Sequence, residues 1–167
     1  MEWEAAMQRI VTFLWFDKQA EDAAKFYVSV FKNSKILGTT PYGDHGPQPQ
    51  GTVMTVEFEL DGQRFTALNG GPTFHFNEAI SLVVRCKSQE EIDEYWSKLT
   101  AGGGQEVECG WLRDKYGLSW QIVPADLPEW LMDDPERANA VMHEVLKMKK
   151  LDLATLKRAH DQPQTVR

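Results

Sequence analysis

The chain has only two cysteines, Cys86 and Cys109, among 167 residues. They form neither a disulfide framework nor the paired spacing of a metal site, and a reducing cytoplasm is the expected compartment. Long apolar runs are missing, because no stretch approaches the roughly 18 uninterrupted residues of a membrane span. The start of the chain places Glu2 and Glu4 before any base and leads into an aromatic segment, so no signal peptide is read there. Positive charge is scarce, with 18 Lys and Arg against 25 Asp and Glu and a net charge of -7. That balance argues against non-specific nucleic-acid binding. What is present is core material. With 42% hydrophobic and 11% aromatic residues, disorder is excluded for most of the length, and one compact domain or two small halves sharing a core are expected.

The run Arg9 to Phe16 is β-branched and aromatic and predicts a strand closing at Asp17. Ala20, Ala23, Ala24, Tyr27, Val30 and Phe31 then recur at helical spacing, with Asp17 as a candidate cap and Asn33 placed to end the helix in a left-handed conformation. A short strand is expected at Lys35 to Thr40, then an exposed Gly/Pro loop from Tyr42 to Gly51. Thr52 to Leu60 alternates, Asp61-Gly62 is a hairpin signal, and Gln63 to Asn69 returns.

At an offset of 69 residues, Val11 to Val30 aligns without a gap on Ile80 to Leu99. Strand falls on strand and helix on helix. The second helix carries a capping box, Ser88 with Glu91, and an apolar stripe of Ile92, Tyr95, Trp96 and Leu99. Three strands follow at Gln105 to Cys109, Gly110 to Arg113 and Leu118 to Val123. Beyond Pro124 the pattern turns helical, with Asp134-Pro135 and Asp152 as helix starts and Leu151 and Leu156 as a hydrophobic staple.

The repeated strand-helix-three-strand order is accompanied by Phe26-Tyr27, by Ala67-Leu68-Asn69-Gly70-Gly71-Pro72, and by Gly110-Trp111-Leu112-Arg113-Asp114-Lys115-Tyr116-Gly117-Leu118-Ser119-Trp120-Gln121. From Gln8 to Pro124 this resembles the vicinal oxygen chelate superfamily of glyoxalase I, bleomycin-resistance proteins and extradiol dioxygenases. Within it, the motifs and the tail Val141 to Asp152 are similar to the PhnB-like family, whose members are often labelled 3-demethylubiquinone-9 3-methyltransferase. The resemblance implies an α+β protein of paired βαβββ modules in the glyoxalase-like fold with a C-terminal helical tail. The modules are expected at 8–78 and 79–124 with the extension at 125–167, and a homodimer is implied.

Metal-dependent relatives hold one divalent ion with a His or Glu from the first strand and a Glu from the last strand of each unit. Carried over by the Phe26-Tyr27 match and the repeat offset, these places fall at Thr12 and Ser81, and at Asn69 (or its neighbour Leu68) and Gln121. Hydroxyls and amides are weak ligands beside carboxylates. No metal and no cofactor are therefore predicted, and the expected ligand is a small polar metabolite. The alternative is a metalloenzyme in which Glu57, Asn69 and Gln121 join a Mg²⁺, Mn²⁺ or Zn²⁺ site.

Alternation sets Thr12, Glu57, Ser81, Arg85, Ser119 and Gln121 on the side away from the helices, with Trp111 and Tyr116 as aromatic walls or as core. Such a lining suits a small polar or anionic ligand. Cys86 and Cys109 read as inert thiols or as nucleophiles, and His75 as a surface residue or a proton carrier. A methyl-donor site needs a glycine-rich turn after a first parallel strand, whereas Gly102-Gly103-Gly104 follow a helix.

Overall fold

The computed structural model describes residues 8–163. The chain divides into two compact units, the first ending at His75 and the second beginning at Phe76. The first contains β1 (Thr12–Phe16), α1 (Ala20–Val30), β2 (Lys35–Pro41), β3 (Val53–Leu60) and β4 (Gln63–Asn69). The second contains β5 (Leu82–Cys86), α2 (Gln89–Thr100), β6 (Gln105–Glu106), β7 (Trp111–Arg113) and β8 (Ser119–Pro124), then α3 (Leu127–Met132), α4 (Pro135–Val145) and α5 (Leu153–Asp161).

The two sheets share one topology. Their orders are β1-β4-β3-β2 and β5-β8-β7-β6, with the first and last strands of each unit paired in parallel and the others antiparallel. In the first unit Leu14, Phe16, Val56, Phe58, Leu60, Phe65 and Ala67 are buried under α1, which contributes Ala23, Ala24 and Tyr27. Small alanines let the helix approach closely while aromatic rings fill the sheet side: Phe58 stacks on Tyr27 and on Phe65, with centroids 6.2 and 5.4 Å apart. The second unit buries Ile92, Trp96, Leu99, Leu112, Trp120 and Ile122 in the same way.

Asp61 and Gly62 adopt φ of 45° and 81°, the left-handed pair that a two-residue hairpin needs. In the second unit the corresponding turn is held by a buried carboxylate. Asp114 accepts from the backbone N–H of Tyr116 and Leu118 through Oδ1 and from Trp120 Nε1 through Oδ2.

The helix starts differ. Ser88 caps α2 by accepting from Glu91 N at 3.2 Å, and Glu91 reaches back to Lys87 N at 2.7 Å. For α1, Asp17 makes no cap; the first N–H, that of Ala20, donates to Asn69 Oδ1 at 2.8 Å from the end of β4. Tyr42 also departs from the exposed loop expected of it. It is buried, and its hydroxyl donates to Asn69 O at 2.6 Å.

The tail is stitched to the second unit. Gln89 at the start of α2 donates to Leu151 O and accepts from Leu153 N, while Cys109 N and Gly110 N donate to Met148 O and Lys149 O. Val123, Leu127, Trp130, Val141, Val145, Leu151 and Leu156 form one apolar cluster. Lys147, Lys149 and Lys150 sit beside Glu144, Glu108 and Asp93, so the basic cluster braces the tail. No described helix is long and apolar enough to cross a membrane.

Candidate functional site

Each sheet has one face covered by its helix and one turned away from it, and strand register assigns every candidate to a face. In the second unit Leu82, Val84 and Cys86 pair with Trp120, Ile122 and Pro124 on the α2 side. Ser81, Val83 and Arg85 therefore share the other face with Ser119, Gln121, Trp111 and Arg113. Gln121 Nε2 donates to Ser81 Oγ at 2.9 Å, so these two candidates are brought together.

In the first unit two candidates fall on the wrong face. Thr12 has the parity of Leu14 and Phe16 and lies on the α1 side; Asn69 pairs with Phe16 on that same side, where it caps α1 and donates to Val53 O at 3.0 Å. The cause is a one-residue slip. The buried helix positions Tyr27 and Trp96 are 69 residues apart, but the buried strand positions Phe16 and Cys86 are 70 apart, so an ungapped alignment reverses the strand faces. Matched by face, the counterparts of Ser81 and Gln121 are Val11 and Thr66.

Glu57 is exposed on the helix-free face of the first sheet, opposite Thr66, and its carboxylate has no ion pair or hydrogen bond among the described residues. Phe13 and Trp15 stand on the same face. Trp15 Nε1 donates to Gly71 O at 2.8 Å, and its ring meets Phe74 edge-on at 4.9 Å. Gly70 must lack a side chain here, since a Cβ would lie 2.4 Å from the indole.

The donor set does not fit a divalent ion. At the face-matched places stand a valine, two hydroxyls and an amide, and the amide is already bonded to one hydroxyl. Among the described residues, no three His, Cys, Asp or Glu side chains converge as a metal site. Cys86 is buried; burial, with Glu91 adding to it, pushes its thiol up to about 12, which leaves it protonated and inert near neutrality. Cys109 is half-buried in the 109–110 turn, and His75 is exposed. His160 stacks on Trp130 and has Asp133 and Asp161 at its two ring nitrogens, which ties α5 to α3. Gly104 closes α2 tightly onto the sheet, where a Cβ would meet Thr100 and Arg113 backbone at 2.7 and 2.8 Å. The glycine run is thus a helix-to-strand turn.

A groove of about 930 Å³ between α4 and α5, lined by Ala140, His143, Glu144, Lys147, Thr155 and Arg158 among others, lies in the tail. Sequence reasoning did not anticipate it, because it depends on how two amphipathic helices splay. It also passed over Arg113 as a site residue, although alternation along Trp111-Leu112-Arg113 carries the signal.

Two βαβββ units with parallel first and last strands, each leaving one sheet face free of helix, define the glyoxalase-like fold of the vicinal oxygen chelate superfamily. The family model described as 3-demethylubiquinone-9 3-methyltransferase matches residues 8–123, and the chain belongs to this PhnB-like family. It is 39% identical to a solved structure from Bacillus cereus, a putative 3-demethylubiquinone-9 3-methyltransferase and PhnB protein, over 70% of this chain and 99% of that one, with a TM-score of 0.63. A Pseudomonas aeruginosa protein is 18% identical over 69% and 96% with a TM-score of 0.57. The Listeria monocytogenes fosfomycin resistance protein FosX, solved with Mn(II) and sulfate, is 15% identical over 74% and 94% with a TM-score of 0.52. These last two share the fold. No curated protein matches the chain.

Proposed function

We propose that the protein binds a small polar metabolite on the helix-free face of its second sheet and does so without a catalytic metal, as a binding or sequestering module. The observation that carries this reading is the Gln121 to Ser81 hydrogen bond. It joins two side chains at the places where metal-dependent relatives put ligands, and it leaves neutral polar groups beside Arg85, Arg113 and Trp111. A face with hydroxyls, an amide and two guanidinium groups suits an anionic or carbonyl-bearing ligand. The expected setting is a cytoplasmic homodimer. The family label does not extend to chemistry here, since methyl transfer calls for a donor site that the glycine turn after α2 does not supply.

The test is elemental analysis of the purified full chain before and after incubation with Mg²⁺, Mn²⁺ and Zn²⁺, together with mass spectrometry of small molecules released on denaturation. The expected result is metal far below one per chain and one retained polar compound. Stoichiometric metal that disappears in Glu57→Gln would overturn the reading in favour of a metalloenzyme. A stoichiometric methyl donor found by calorimetry would do the same in favour of the labelled activity.

A further inference from the structure

One row of side chains crosses the helix-free face of the second sheet. Gln105 on β6 pairs with Arg113 on β7, and Arg113 pairs with Ser119 on β8. Ser81 precedes Leu82, which pairs with Trp120, so it lies beside Ser119 at the end of the row. The terminal nitrogens of Arg113 are occupied: Nη2 donates to Gln105 Oε1 at 2.6 Å, and Nη1 lies 3.3 Å from Glu78 Oε1. Its Nε and the Ser119 Oγ are sealed from solvent and have no hydrogen-bond partner among the described residues. Ser119 as a whole is only 1% exposed.

Unpaired buried donors are unfavourable in a folded protein, and neighbouring ones in register mark a place where an acceptor belongs. Both groups here donate. The Ser81 hydroxyl accepts from Gln121 and keeps its own O–H free to donate. The guanidinium Nε–H and the two hydroxyls, for which no protein acceptor is provided among the described residues, match the oxygens of an anion. The Glu78 contact does not bar it, because that ion pair is solvent-exposed, with 42% and 59% of the two side chains accessible, and such pairs contribute little. Arg113 can therefore turn from Glu78 toward a ligand.

The geometry points to an oxyanion subsite in which Arg113, Ser119 and Ser81 take the carboxylate or phosphoryl oxygens of the bound metabolite. It rests on the reading of this face as the ligand-binding face and names the ligand class.

The experiment uses the full chain labelled with ¹⁵N-arginine, and follows the Arg113 Nε–H resonance during titration with inorganic phosphate or acetate at constant ionic strength held by sodium chloride. A saturable downfield shift is expected. Arg113→Gln weakens binding, read by calorimetry, by at least about tenfold, and Ser119→Ala by about three- to tenfold with a melting temperature that does not fall, in line with charged and neutral hydrogen bonds. Glu78→Gln, which frees the guanidinium, tightens it by about threefold. Lys157→Gln, on the exposed face of α5, has no effect. Tighter phosphate identifies a phosphoryl ligand, and tighter acetate a carboxylate; either supports the subsite. The proposal is overturned if Arg113 shows no saturable shift with either anion, if Ser119→Ala binds as tightly as the native chain, or if Lys157→Gln weakens binding as much as Arg113→Gln. Its failure is distinct from failure of the binding-module reading. In the first case a metabolite is still released on denaturation while Arg113 stays silent; in the second Arg113 responds to anions but the chain carries stoichiometric metal.

Discussion

The helix-free face of the first sheet carries Phe13, Trp15, Glu57 and Thr66, whereas the same face of the second carries Ser81, Arg85, Trp111, Arg113, Ser119 and Gln121. The backbone order is identical in the two units, and so is the apolar character of the helix side. The difference shows which half of the pattern packing constrains. Residues under α1 or α2 must be apolar and fit a neighbour, because they exclude water and fill volume. Residues on the other face answer to no helix, so one sheet became aromatic and acidic there and the other basic and hydroxyl-rich.

The cores offer the sharpest way to probe that comparison. Phe58→Ala removes a fully buried ring stacked between Tyr27 and Phe65 and should cost about 4 kcal/mol. Leu112→Ala, at the matching place in the second unit, should cost about 3 kcal/mol. Denaturant melts measure both. Alkylation of Cys86 adds a reading confined to the second unit, because its thiol is buried and held protonated. Leu112→Ala is expected to speed it and Phe58→Ala to leave it unchanged. Equal acceleration would break the comparison.

The turns come next. Asp114→Ala leaves two backbone N–H groups and the Trp120 indole N–H without their acceptor, at an expected cost of about 3 kcal/mol, with a change in tryptophan fluorescence. The first unit meets the same need with Asp61-Gly62 and positive φ, so no single carboxylate there carries an equal load.

Helix starts give a smaller effect. Asn69→Ala should destabilise by about 2 kcal/mol, because it removes both the α1 cap and the bond to Val53 O. Ser88→Ala, which removes a local cap only, should cost about 1 kcal/mol. Hydrogen exchange at Ala20 and Glu91 reads the two ends separately. Smallest is Ser119→Ala: deleting a buried hydroxyl with no partner should leave stability unchanged or raise it by up to about 1 kcal/mol. A loss of that size would mean that the hydroxyl has a partner in solution.

The sequence alone determined the order of elements, the hairpin at Asp61-Gly62, the cap at Ser88, the starts of α4 and α5 at Asp134 and Asp152, and the apolar halves of β3 and β8. These depend on neighbours a few residues apart, through capping, alternation and helical spacing, all of which are written locally. Tertiary structure decided the rest. The face of β1 could not be read from a repeat offset, because one extra residue between strand and helix turns every strand side chain over and moved Thr12 to the α1 side. Asn69 was expected in a ligand pocket, yet it caps a helix 49 residues away in sequence, and no local pattern encodes that bond. The pairing of Gln121 with Ser81 and the row from Gln105 through Arg113 to Ser119 likewise come from strand register, which forms only when the sheet closes.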